Sequence, residues 1–194
     1  MTKNRLLNVV ILLCRFCKIL CVLLFLAMST LLIYIQVDRD SYNAMDFQIN
    51  IDESPGLGIT TKNKWRLDGE VAPEDDKVFT LDKLTTGSLF MLFIKYSIIL
   101  VLVFLSFKEF EMVVESVKKI QTFKIGNVRS FIRLGKYFFV LFLLFSVSVF
   151  GFEQGRISII SIAFLPLVLM LLAFVMAEIF KEGNQLSEDN ELTV

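Results

Sequence analysis

Four long apolar runs, with the charges sorted between them, constrain this chain more than any other feature. They cover roughly residues 19–37, 87–107, 134–152 and 157–180. Each approaches the ~20 residues that a helix needs to cross a hydrocarbon core of about 30 Å. Lipid offers backbone groups no hydrogen-bond partner, so each run is expected to close its bonds internally as a helix. The chain has 194 residues, 55% of them hydrophobic, and 20 are Phe. A soluble domain of this size does not carry its apolar residues in such blocks. The predicted fold class is an all-α membrane protein: a four-transmembrane-helix bundle with a small β-rich extracytoplasmic loop domain and a cytoplasmic helical hairpin.

The formal net charge of zero conceals a separation of charge along the chain. Residues 1–18 hold four basic and no acidic residues, and residues 108–136 hold seven basic and three acidic. Residues 38–86 hold six basic and eleven acidic, and residues 178–194 one basic and five acidic. Short segments rich in Lys and Arg stay in the cytoplasm, whereas Asp and Glu carry little topological weight. The expected layout is therefore a multi-pass protein of the cytoplasmic (inner) membrane with both termini inside. Residues 1–37 form the N-terminal segment and first span, and 38–86 an outer cap. Residues 87–107 form the second span, 108–133 the inner hairpin, 134–152 the third span, 157–180 the fourth and 181–194 a tail. The first run continues past the length of a signal-peptide core, which favours an uncleaved anchor.

Local patterns refine this layout. Phe47, Ile49 and Ile51 alternate with polar residues, Trp65 and Leu67 repeat the alternation, and residues 78–81 suit a further short strand. Phe47 and Trp65 are the candidate outer ligand surface. In the inner segment Phe110, Val113, Val114, Val117 and Ile120 recur at helical spacing, with Glu109, Glu111, Glu115, Lys118 and Lys119 on the other side. Asn127 is placed to cap the next helix. In the last run Ala163, Pro166, Met170, Ala173 and Ala177 form a stripe that permits close helix approach, Pro166 is expected to bend the helix, and Gly183 to stop it. Cys14, Cys17 and Cys21 share one helical face and read as small apolar residues at a helix interface.

Lys95 is the sharpest candidate for intramembrane function. A charge near the bilayer centre costs about 2.5–3.5 kcal/mol on insertion scales. Two readings stay open: the side chain snorkels to the headgroups, or it pairs with Glu153 or an acid of the outer loop. The chain contains no His, so no Ser, Cys or Asp nucleophile has a His base and no metal site is expected. Neither enzymatic activity, a cofactor nor direct nucleic-acid binding is expected.

Two stretches carry a family resemblance. Residues 120–138 read IQTFKIGNVRSFIRLGKYF and residues 177–194 read AEIFKEGNQLSEDNELTV. In both, the chain resembles a family of small bacterial four-helix membrane proteins known only as a domain of unknown function. Thr122 stands where members of that family often carry Pro. Members often lie beside a gene for a small Cro/C1-type helix-turn-helix regulator, so the resemblance implies a cytoplasmic DNA-binding partner and no catalytic residues. The function expected first is sensory or regulatory, coupling an outer signal to that regulator. The candidate partner-binding residues are Phe110, Val114, Val117, Lys118, Arg129, Phe131, Leu186 and Leu192. The alternative is a small oligomeric transporter, pore or peptide-immunity protein using Lys95; a purely structural subunit also fits. The partners expected are the lipid bilayer, the regulator and further copies of the chain.

Overall fold

The computed structural model describes residues 3–37, 58–64, 84–120, 123–152 and 155–192. In chain order these form helix α1 (Lys3–Val37), strand β1 (Gly58–Lys64), helix α2 (Thr86–Lys118), helix α3 (Ile125–Ser146), strands β2 (Val147–Phe152) and β3 (Gly155–Ser161), and helix α4 (Phe164–Leu192). They fall into two compact units. A helical unit comprises Met1–Leu24, Ile99–Phe142 and Phe164–Val194; a sheet unit comprises Phe25–Ile98 and Leu143–Ala163.

Three helices are long and apolar enough to cross a membrane: Arg5–Val37 of α1, Thr86–Lys118 and Phe164–Asp189 of α4. Their outer faces are apolar and uncovered, with Leu12 68%, Met91 75% and Leu165 72% exposed. A soluble monomer does not leave so much contiguous apolar surface in water, and lipid is the solvent that suits it. The third apolar run behaves differently. Its helix, α3, spans 22 residues and carries Arg129, Arg133 and Lys136. The uncharged remainder, Tyr137–Ser146, gives only about 15 Å of helix at 1.5 Å per residue, half a hydrocarbon core. A fourth span is therefore not established by this helix.

The missing helical length is strand. The third run ends as β2 and the fourth begins as β3, and together with β1 they form an antiparallel sheet in the order β1-β3-β2. The protein is thus predominantly helical with a small antiparallel sheet, and that sheet is not confined to residues 38–86, since two of its strands come from the third and fourth apolar runs. The reason lies in residues 146–151 and 156–161, where Val and Ile alternate with Ser on either side of Gly155. Period-two alternation of β-branched residues suits a pleated surface, not a helix. The register places Phe150 opposite Ile157 and Val149 opposite Ser158. Ile157, Phe152 and Leu84 are buried together, with Leu89, Leu92, Phe150 and Ile159 packed around them. The strands expected at 47–51, 65–67 and 78–81 lie outside the described residues. The strand that pairs with β3, β1, lies between two of these segments.

The sheet is riveted to the start of α2. The Thr85 amide donates to the Gly151 carbonyl at 3.0 Å, and the Gly151 amide donates to Ser88 Oγ at 2.8 Å. Thr85 Oγ1 accepts from the Ser88 amide at 3.4 Å, a cap for the first turn. A Cβ on Gly151 would lie 2.8 Å from Ser88 Oγ, so only glycine permits this approach.

Helix ends depart from the sequence reading in three places. Ile120 belongs to no helical stripe: α2 stops at Lys118 and Ile120 is 89% exposed, with a φ of 60°. Pro166 sits in the first turn of α4, where its missing N–H costs nothing, so it starts the helix instead of bending it. Gly183 does not stop α4, which continues through the acidic segment to Leu192.

A β-branched residue in the left-handed region is strained by roughly 1–3 kcal/mol. Ile120→Gly is therefore expected to raise the thermal unfolding midpoint of the detergent-purified protein. An unchanged or lowered midpoint would show that the turn does not store that strain.

Candidate functional site

One end of the helical unit gathers the early part of α1, the end of α2, the start of α3 and the later half of α4. Two buried acids of α2 organise it. Glu109 is 5% and Glu111 7% exposed. They lie two residues apart, which on a helix points them to different sides. Glu111 meets α1: Arg15 Nε donates to its Oε1 at 2.8 Å, and Lys18 Nζ donates to its Oε2. Arg15 Nη2 also reaches Glu115 Oε1 at 3.4 Å. Glu109 meets α3, where Arg133 Nη1 donates to its Oε1 at 2.9 Å. The sequence reading put Glu109 and Glu111 on a solvated face, and this is corrected. A usable signal was present: Glu109 and Arg133 lie twelve residues to either side of position 121 in the sequence, so an antiparallel helical hairpin brings them level.

Beside this charge clamp lies an apolar lock. Val113, Val128, Phe131, Leu134, Ala173, Ala177 and Phe180 are buried as one cluster joining α2, α3 and α4, with Val117 packed against it. The Phe180 ring lies 4.9 Å from Phe131 and 5.7 Å from Phe123. Two glycines set the helix spacing. A Cβ on Gly135 would come within 2.7 Å of the Phe174 ring, and one on Gly183 would overlap the Phe123 ring. The small stripe of α4 thus serves close approach at Ala173 and Ala177. Asn127 is not a cap; it lies within α3, buried, and its Nδ2 donates to Ser116 Oγ at 3.0 Å, tying α3 to α2.

The candidate partner-binding residues separate accordingly. Val114 and Phe131 are buried and act in packing, and Val117 is partly buried against the core. Phe110 and Leu186 are exposed, at 42% and 65%, as are Lys118 and Arg129. The Leu192 side chain, Phe47 and Trp65 lie outside the described residues. Phe110 edges an apolar crevice of about 350 Å³ between α2, α3 and α4 that also takes in Phe107, Leu134 and Met176. Cys14 and Cys21 are buried, and all three thiols are free.

Lys95 lies in the sheet unit, and Glu153 and the acids of residues 38–57 and 65–83 lie outside the described residues. Nζ donates to the Val147 carbonyl at 2.7 Å and to Ser148 Oγ at 2.6 Å. These are the first two residues of β2, directly after α3 ends at Ser146. The ammonium thus holds the helix-to-strand junction, replacing water as the donor there.

Three helices suited to a bilayer, a small sheet and a charge-clamped helical end define an integral membrane protein without an evident catalytic constellation among the described residues. The chain belongs to the family described as Protein of unknown function (DUF2975), whose profile matches residues 68–194. No curated protein matches the chain, and no solved structure matches it. The matched region contains both stretches that carry the resemblance, and the fold brings them together: Phe123 and Phe131 from the first lie against Phe180 and Gly183 from the second.

Removing the Lys95 ammonium leaves the Val147 carbonyl without its donor, at a cost of about 1–2 kcal/mol. Lys95→Met is expected to lower the thermal midpoint of the purified protein correspondingly. A midpoint equal to that of the parent would mean that the junction does not rely on Lys95.

Proposed function

We propose that this protein is a regulatory membrane subunit that couples an extracytoplasmic signal to a cytoplasmic helix-turn-helix regulator. The observation that carries the reading is α2. It is one uninterrupted helix of 33 residues, about 50 Å long at 1.5 Å per residue and so longer than a hydrocarbon core. Its first turn is bonded to the sheet at Gly151, and its last turns hold the buried acids that bind α1 and α3. A helix that contributes to both units is suited to convey a displacement.

The charge pattern supports the orientation. The basic segments 1–18 and 108–136 are expected to stay inside under the positive-inside rule, which favours the cytoplasmic side for the basic end of the helical unit. The exposed residues Phe110, Lys118, Arg129 and Leu186 are then presented to a cytoplasmic partner. The reading as a transporter, pore or immunity protein drew on Lys95 as an intramembrane charge in search of a role. Its bonds to β2 support a positioning role, which is why we favour regulation.

The test is co-purification of the full-length protein with a helix-turn-helix regulator encoded beside its gene, backed by a two-hybrid assay. Association is expected, weakened by Arg129→Glu and Leu186→Glu. Absence of association in both assays would overturn the reading.

A further inference from the structure

A second polar feature lies at the same end of the helical unit and shares Arg15 and Glu115 with the charge clamp. The start of α1 and the end of α2 enclose a crevice of about 480 Å³. One wall is cationic. Lys118 and Lys119 line it, and neither has an ion pair among the described residues. Arg15 lines it too, with Nε and Nη2 spent on Glu111 and Glu115. Glu115 is the acid of the lining, so three cations face one carboxylate. Counting the clamp as well, Arg15, Lys18, Lys118 and Lys119 face Glu111 and Glu115, which leaves a surplus of two positive charges. On α1, Asn8, Ile11 and Leu12 complete the lining, the last two of them apolar.

That mixed lining identifies the ligand. Unpaired lysines suit a phosphate, to which an ammonium donates as a point charge. A free phosphate has no use for Ile11 and Leu12. A lipid does, since its acyl chain continues from the phosphate into apolar surroundings. The surface beside the crevice suits it further: Leu6, Val9, Leu12 and Leu13 are all more than half exposed, and they carry a lipid-facing surface along α1 to the level of the two lysines. Basic pockets between helices at a membrane surface are suited to anionic headgroups.

We propose that the crevice between Ile11, Leu12, Lys118 and Lys119 is a binding site for an anionic phospholipid, its headgroup phosphate on the two lysines and its chain along α1. The site does not depend on the regulatory reading, and a lipid bound there would brace α1 against α2 beside the Arg15–Glu111 pair.

The experiment is native mass spectrometry of the full-length protein, purified in detergent and titrated with phosphatidylglycerol, with phosphatidylcholine or with inorganic phosphate. Phosphatidylglycerol is expected to be retained in preference to phosphatidylcholine, and the Lys118→Gln/Lys119→Gln double variant to lose that preference by roughly tenfold. The Arg129→Gln/Lys136→Gln variant removes the same charge from α3 and is expected to keep it. Equal retention of the two lipids would overturn the proposal. So would equal loss in both variants, which would mark a diffuse positive field, or full displacement of the lipid by inorganic phosphate. Thermal midpoints of each variant separate a lost site from a lost fold.

Discussion

A carboxylate taken out of water must be met by cations at close range. Glu109 and Glu111 impose that condition two residues apart on one helix. Because they point to different sides of α2, they recruit different neighbours. Glu111 draws Arg15 and Lys18 of α1, and Glu109 draws Arg133 of α3. The apolar surfaces of the helices offer no comparable specificity, since a lipid tail competes for them on equal terms. The buried acids supply the register that apolar packing leaves undetermined. The aromatic and glycine contacts of α3 and α4 then fit into a frame already fixed.

The sheet unit meets the same physical demand in another way. A strand must have its polar backbone groups satisfied, and β3 achieves this by antiparallel pairing with β2 on one side and β1 on the other. β2 is an edge strand of this sheet, and at its first residue Lys95 donates to the Val147 carbonyl. Thr85, Ser88 and Gly151 perform the same service where α2 begins. Both polar devices therefore lie at the ends of helices, where orphan backbone groups concentrate.

What could be read from the sequence follows from which forces were local. Membrane residence was legible because length and hydropathy alone decide it, and α2 ran past its apolar run because the amphipathic stripe at Val113, Val114 and Val117 continued. The strands were hidden by composition. Residues 147–152 and 157–161 are as apolar as a span, and the Val-Ser and Ile-Ser alternation that marks them was outweighed by that hydropathy. Ile120 fitted the helical period yet lies past the helix end, because the period records a pattern and not where the backbone turns. Gly183 looked like a stop because a glycine late in a helix usually is one; here it makes room for a ring sixty residues earlier in the chain. The charge clamp was the least legible, since Glu109 and Glu111 resemble any solvated acids until the hairpin sets them against Arg133 and α1.

The central claim is that Glu111 holds α1 onto α2. Hydrogen exchange of the intact protein in lipid nanodiscs, comparing Glu111→Gln with the parent, tests it most directly. Faster exchange is expected in residues 5–18 and 109–118 of the variant, with residues 147–161 unchanged. Identical exchange along α1 and α2 in the two proteins would contradict it.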